Sequence, residues 1–514
     1  MKKYRFTSIL FLASLAWGCG KFLEEYSLNE LRPGSVIDLQ QLMIGEAYPV
    51  TGFFAPYLEF MTDDITSNIS TRAGQPQLLL KGEGPFMWRH DMYETMEERG
   101  VINANSYELY YKHVKACNVV LDHLDGVVGS TDEKNKARGE ALALRAYYYF
   151  MLVNLYGQPY NAPGVDVNTA PGVPLLVSSA VKDENPSRAS VGAVYRQIEA
   201  DLLEAEGLLA ELGRGNSKWR VTDLFVYNLL SRVYLYEERW QEAAEYATKV
   251  LHRSPLLVDL CKLTNASGTF ATTNSFPSNA FAIAGVETIW VFSSYLEYSF
   301  SLNATTFPTY SNASPAPYTA SASLLASYDY SDVSATDRKD LRPHFFYIGY
   351  GAMSNRHHVL GQKTAIDGNA DLPTKGMRVA EAYLNRAEAL ARLFAASGDA
   401  GNRVGALADL NYLREHRYDR RNAAYVPVDI ADAAELLQFC LDERRRELAY
   451  EEHRWFDLRR NGMPGVVHSF RTDAEQVVVK DSLVVGDRRY VLPIPAKALE
   501  KNPNLTPNPS NTPV

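Results

Sequence analysis

Apolar residues return every three or four positions along several long stretches of this 514-residue chain, a spacing that places them on one face of an α-helix. Leu109, Tyr110, Val114, Cys117, Val120, Leu121 and Leu124 predict one such helix starting near Tyr107. Lys136 to Tyr156, rich in Ala, Leu and Tyr, predicts a second that stops at Gly157-Gln158-Pro159. Val191, Val194, Tyr195, Ile198, Leu202, Ala205, Leu208 and Leu209 line a third. Each stripe must be buried, so a chain patterned in this way folds as helix packed on helix.

Val221 to Glu237 and Trp240 to His252 form the clearest repeat unit. Tyr227, Leu230, Ser231 and Tyr234 on the first helix, with Ala243, Ala247 and the terminating Pro255 on the second, resemble the tetratricopeptide pattern of large, small and aromatic positions. Ser231 replaces the usual glycine, and Ala247 stands where an aromatic is common. Arg378 to Phe394 and Val404 to Arg414 predict another helical hairpin. Asn161 to Arg188, punctuated by proline and glycine, reads as a connection with a short strand at Val173 to Val177. From Leu263 to about Gly376 the texture changes to Ser, Thr, Asn, Pro and Tyr, with a strand at Glu287 to Ser293. The expected fold is mainly α: a scaffold of tetratricopeptide-like helical pairs with a loop-rich irregular lobe containing short strands.

The N-terminus fixes the compartment. Lys2, Lys3 and Arg5 precede an uncharged apolar stretch from Phe6 to Trp17, too short to span a bilayer, and Gly18 leads into Cys19. Residues 1–18 read as an export signal, and Cys19 looks like the lipidated cysteine of a bacterial lipobox; a plain secretory signal would leave that thiol without a use. No second apolar run of about 18 or more residues exists, so lipid is the one anchor in view. Loss of Lys2, Lys3 and Arg5 with the signal takes the formal charge from -9 to -12, which disfavours nucleic acid or an anionic membrane surface as partner. Cys117, Cys261 and Cys440 are too far apart for a metal finger and sit among apolar neighbours, as buried thiols do.

The densest charge pattern runs from Asp442 to Arg460. Glu443, Glu447 and Glu451 are four residues apart with arginines beside them, which predicts ion pairs along a helix surface worth a few tenths of a kcal/mol each. Pairing keeps these carboxylates ionised and unsuited to donating protons. This segment, with Arg378 to Ala389 before it and Tyr490 to Pro495 and Asn502-Pro503 after it, resembles the SusD/RagB family of Bacteroidetes outer-membrane lipoproteins. Ala141 to Tyr149, Ser231 to Tyr236 and Trp240 are similar to the same family. The resemblance implies four tetratricopeptide-like pairs, lipid anchoring at the cell surface, and a variable lobe that captures nutrient. It also implies a SusC-like TonB-dependent outer-membrane transporter as partner, over which the protein sits as a hinged lid. The acidic Glu24-Glu25 resembles the family's signal for export to the outer face. The domains expected are the signal at 1–18, an N-terminal helical region at 19–262, the irregular lobe at 263–376 and a C-terminal region at 377–514.

Family ligands are oligosaccharides bound on aromatic platforms. The chain has 32 Tyr, 21 Phe and 6 Trp, and an aromatic ring offers a sugar's C–H face a stacking surface. The rings clustered in loop-like segments are Trp88 and Tyr93, and Tyr295, Tyr298, Phe300, Phe307 and Tyr310 in the lobe. Trp88 and Tyr298 are the leading candidates, with Asp63, Asp64 and Arg72 as possible hydrogen-bonding partners. Asp367 to Asp371 starts like a calcium loop but lacks its later Gly and closing Glu, so it reads as a turn before the Arg378 helix; His357-His358 lacks further ligands nearby, and no metal or cofactor is assigned. No Gly-x-Ser-x-Gly, His-Glu-x-x-His, Walker or dinucleotide fingerprint is present, which favours a binding protein over an enzyme. Two rivals remain: a surface glycosidase, whose carboxylate pair has no short signature, and capture of a peptide or glycoprotein in a helical groove.

Overall fold

A computed structural model describes residues 33–49, 55–68, 75–101, 104–180, 183–212, 217–264, 285–293, 317–330, 339–350, 357–360, 365–366, 369–471 and 478–511. Its principal helices are α1 (Val36–Leu42), α2 (Ser106–His123), α3 (Thr131–Tyr156), α4 (Val191–Leu212), α5 (Asp223–Tyr236), α6 (Trp240–Arg253), α7 (Val379–Ser397), α8 (Ala400–Glu415), α9 (Ala433–Glu447), α10 (Arg454–Arg460) and α11 (Ala496–Lys501). The strands are β1 (Ile65–Ser67), β2 (Thr288–Ser293), β3 (Tyr318–Ala320), β4 (Tyr347–Tyr350), β5 (His357–Leu360), β6 (Ala365–Ile366), β7 (Asn369–Arg378), β8 (Val466–Arg471) and β9 (Val478–Leu483).

Helices predicted by periodicity lie where expected, with ends set by caps. α3 starts five residues before the expected Lys136 because Ser130 accepts from the Glu133 N–H while Glu133 reaches back to the Ser130 N–H, a capping box. α8 likewise starts at Ala400, capped by Asp399. Past the last turn of α7, Gly398 takes φ +72, the left-handed conformation a helix stop requires.

α3 is the centre of the molecule. It packs between α2 and α4 and is buried on every side from Gly139 to Tyr156, so each of its polar side chains needs a partner. Glu140 accepts from the Tyr48 hydroxyl at 2.7 Å and from Arg220. Arg145 forks onto Asp201 at 2.7 and 2.8 Å. Asn154 pairs with the Tyr195 hydroxyl.

Beyond α4, α5 pairs with α6, α6 packs on α7, and α7 pairs with α8 and carries α9. Ala243 and Ala247 on α6 and Ala380, Ala387 and Ala391 on α7 are fully buried, and their small side chains let the helices close. Ser231 has a bonding role of its own: its hydroxyl donates to Asn228 O and accepts from Asn385 on α7. Cys117 and Cys440 are buried, and burial pushes both thiols well up; Cys261 is half-buried.

β2 and β7 pair antiparallel from Thr288↔Arg378 to Ser293↔Thr374. Gly376 lies opposite Val291 at φ +150, where a Cβ would stand 1.9 Å from Trp290 O, so no other residue fits. Asn369 to Asp371, expected as a turn, opens β7 instead. The strand expected at Val173 to Val177 is not formed. There Tyr111, Tyr149 and Asn118 side chains donate to the carbonyls of Pro174 and Leu176, taking the place of a neighbouring strand.

The largest departure from sequence expectation concerns Glu443 and Glu447. They are wholly buried, and α9 ends at Glu447, so Glu451 belongs to a turn in which Tyr450 and Glu452 take φ 63 and 65. Glu447 meets Arg417 at 2.9 Å, Arg378 at 3.1 Å and Arg342 at 3.3 Å. Glu443 meets Arg342, Arg414 and Arg446, each at 2.7 Å. Arg342 also holds Asp340 at 2.6 Å, Glu287 bridges Arg378 and Arg417, and Glu451 holds Arg378 at 2.8 Å. A second network joins Arg232 to Glu381, Arg444 to Asp457, and Arg460 to both Glu388 and Asp457. Charge balances within the first network, which is what makes so many buried ions tolerable. Burial alone would raise these carboxylates, but the arginines outweigh it and hold Glu443 and Glu447 well below the carboxylate range. Arg460 and Arg392 hold Glu388 at about 2.

Glu447→Gln leaves buried arginines short of a counter-ion and should cost about 3–5 kcal/mol, read as a fall in denaturation midpoint by chemical unfolding. Because the folded carboxylates titrate below their unfolded value of about 4.3, their stabilisation is complete above that value and is lost as the pH falls towards 2. Calorimetry should show this contribution intact at pH 5 and eroding below about 4.

Candidate functional site

The C-terminal signature reaches back to one short early segment, Glu59 to Asn68, and holds it from several sides. Arg445 on α9 binds Asp64 at 2.6 Å, and Arg454 on α10 forks onto Asp63 at 2.7 and 2.8 Å. The Tyr450 hydroxyl donates to Asp64 O at 3.0 Å, and the Glu452 N–H donates to the Glu59 carboxylate at 2.8 Å. Burial raises the Asp64 carboxyl against the pull of Arg445, whereas at Asp63 the bonds from Arg454 outweigh burial and the carboxyl is lowered. Asp64 is therefore a clamp inside the protein, and the hydrogen-bonding role expected of it toward ligand is corrected; Asp63 is paired to Arg454 and Arg445 with its side chain 27% exposed.

Trp88 is corrected in the same way. It is 4% exposed, its indole N–H donates to Met61 O at 2.9 Å, and its ring stacks on His468 at 4.3 Å. Phe86 covers the other face of His468 at 4.1 Å, and the imidazole nitrogens lie 2.6 Å from Phe86 O and 2.9 Å from Thr62 O. The stack locks the 86–88 turn and the 59–64 segment onto β8, which leaves Trp88 no free face for a sugar. Tyr93 is buried too, in a ring of hydroxyls formed by Tyr57, Tyr93, Tyr156 and Ser106, in which four O–H groups share four contacts. Its expected ligand contact is corrected to a core role. Arg72, Tyr295, Tyr298, Phe300, Phe307, Tyr310 and Cys19 lie outside the described residues.

What is described is where the segments carrying several of those residues begin and end. β1 pairs antiparallel with β3, Ser67 opposite Tyr318. The Asn68 N–H donates to Pro317 O at 2.7 Å, and its side-chain amide donates to the Thr319 hydroxyl. The Ser67 hydroxyl donates to Ser469 O on β8 at 2.8 Å. Asn68, Pro317 and Arg471, each at one end of a described stretch, thus lie within a few residues of one another. Sequence reasoning missed His468, which couples to Thr62 from 406 positions away and carries no local signature.

A second feature that sequence reasoning missed is a groove of 1080 Å³ between α2, the 174–187 connection, and α11 with the chain that follows it. Tyr107 and Tyr111 lie on its α2 side, and lysines from α2 and α11 line it. Among the described residues no His, Cys, Asp and Glu group could hold a metal ion, and no helix is long and apolar enough to cross a membrane.

Residues 21–235 match the family described as "Starch-binding associating with outer membrane", and residues 309–510 match the SusD family, SusD_RagB. The chain is 24% identical to SusD-like protein P2 of Formosa agariphila over 99% of both chains. Its fold is similar to a SusD superfamily protein from Bacteroides vulgatus, with a TM-score of 0.67 at 21% identity, covering 93% of this chain and 99% of the other. A SusD-like carbohydrate binding protein from Bacteroides vulgatus gives 0.62 at 20% identity, covering 94% and 98%. With matches in both the N-terminal and C-terminal regions and a shared fold along nearly the whole length, the chain belongs to the SusD/RagB family.

Proposed function

We propose that this protein captures an oligosaccharide or polysaccharide at the cell surface and delivers it to a SusC-like TonB-dependent outer-membrane transporter. Lipid on Cys19 tethers it to the outer membrane, facing outward, and it binds its ligand without cleaving it. The observation that carries this reading is the common rooting of three segments at the β1–β3–β8 edge. One of them, residues 294–316 between β2 and β3, contains Tyr295, Tyr298, Phe300, Phe307 and Tyr310. Another contains Arg72. The described residues at which these segments start or end are held by the ion pairs at Asp63 and Asp64 and by the His468 stack, a firmly bonded base for a binding surface. The family description as starch-binding and outer-membrane associated supports glycan as the ligand class.

Affinity electrophoresis through gels containing soluble polysaccharides tests this directly. Tyr298→Ala should lose several-fold in retardation with an unchanged unfolding temperature, about 1 kcal/mol for a lost ring contact. Trp88→Ala should instead destabilise the fold by about 3–5 kcal/mol. Retardation by no polysaccharide, with binding of peptides, would move the reading to peptide capture. Incubation with the bound glycan should yield no new reducing ends; their appearance would make the protein a glycosidase.

A further inference from the structure

The groove beside α2 has a chemistry distinct from that of the ring-bearing segments. α2 supplies Lys112 and Lys115, three residues apart and so on one face, and α11 supplies Lys497 and Lys501, four apart and so likewise on one face. Lys112 touches Glu46 at 3.0 Å and Lys497 touches Glu97 at 2.6 Å. Both contacts are solvent-exposed and so weakly held. Lys115 and Lys501 have no carboxylate partner among the described residues. Among the described residues Glu108 and Glu184 are the carboxylates that line the groove, and Glu108 already accepts from Asn105. A lining with four lysines against two carboxylates stands out in a chain of net charge -9.

The Pro174 to Val177 part of the groove wall is apolar and fixed. Leu176 and Val177 are 37% and 48% exposed, and half-buried Tyr111 lies beside them. The carbonyls of Pro174, Leu176 and Ser178 accept from Tyr111, Tyr149 and Asn118. Those three carbonyls are therefore poorly placed to serve a neutral sugar's hydroxyls, while the lysine ammonium groups stand beside exposed apolar surface. A volume of 1080 Å³ exceeds that of a pocket for one small molecule, typically about 300–1,000 Å³, and suits an extended chain of several units.

We propose that this groove is a subsite for an anionic oligosaccharide, one bearing carboxylate or sulfate groups, with Lys115 and Lys501 as its charge-pairing residues. The inference rests on the glycan reading for the sugar and on the groove for the charge. Apolar C–H faces lie along Leu176, Val177 and Tyr111, while the acidic groups meet the lysines on either side.

Isothermal titration of the purified protein with an oligogalacturonate, a sulfated oligosaccharide and neutral malto-oligosaccharides separates these elements. The acidic probes should bind more tightly than the neutral ones, and their affinity should fall as salt is raised. The double variant Lys115→Ala, Lys501→Ala should weaken acidic binding about tenfold, flatten its salt dependence and leave neutral-sugar affinity and unfolding temperature unchanged. Binding of only one acidic probe supports the subsite and identifies the group it takes. Neutral sugars binding at least as well as the acidic ones, or equal acidic affinity in wild type and double variant, overturns the subsite and leaves the glycan reading intact. Failure of every acidic and neutral sugar to bind overturns both.

Discussion

The balanced arginine–carboxylate network around Glu443 and Glu447 is the constraint on which the rest of the structure depends. Its members come from the residue before β2, the 340–342 segment, the β7–α7 junction, α8 and the turn after it, α9 and the turn after α9, and most of them are fully buried. An isolated buried charge costs several kcal/mol, so no single segment can place its ion without the others. The network therefore acts as a registry device: β2 and β7 dock on the C-terminal helices in the one arrangement that pairs every charge. Arg459 shows the cost of an exception. Its Nη2 donates to Gly157 O, it has no carboxylate partner among the described residues, and burial lowers its guanidinium to about 10.

From that anchor the constraint passes outward by contact. Arg445 follows Arg444 on α9 and Arg454 opens α10, so fixing the two helices fixes Asp64 and Asp63. Those residues set the start of β1, β1 sets β3, and Ser67 ties both to β8. The base of the proposed glycan platform is thus rigid because the neighbouring residues of α9 are charge-paired. Binding surfaces built on loops gain affinity when the loop roots are ordered in advance. The groove along α2 draws on a different support: α3, whose Tyr149 and neighbour Asn118 fix the wall that faces the lysines.

The helical pairs were legible because a 3.6-residue period of apolar side chains survives in sequence whatever the partner helix. The family was legible because its signature segments keep their order. Burial of the charged face of α9 was not legible, since a run of Glu at four-residue spacing looks the same whether it meets water or arginine. What decides the matter is Arg342, Arg378, Arg414 and Arg417, which arrive from outside the helix. Trp88 looked like a loop aromatic because the residues that cover it, His468 above all, are 380 positions away in sequence. Asp63 and Asp64 read as a polar loop for the same reason. The strand at Val173 to Val177 failed because tyrosine and asparagine side chains, rather than another strand, satisfy its carbonyls.

Native-state hydrogen exchange tests the central claim, that charge pairing behind α9 and the base of the ligand platform form one cooperative unit. The account predicts that bonded amides of β1, β3 and β8 exchange with the same opening free energy as those of α9, through global unfolding alone. Opening of the β1–β3–β8 edge at a lower free energy, with α9 still protected, would contradict it.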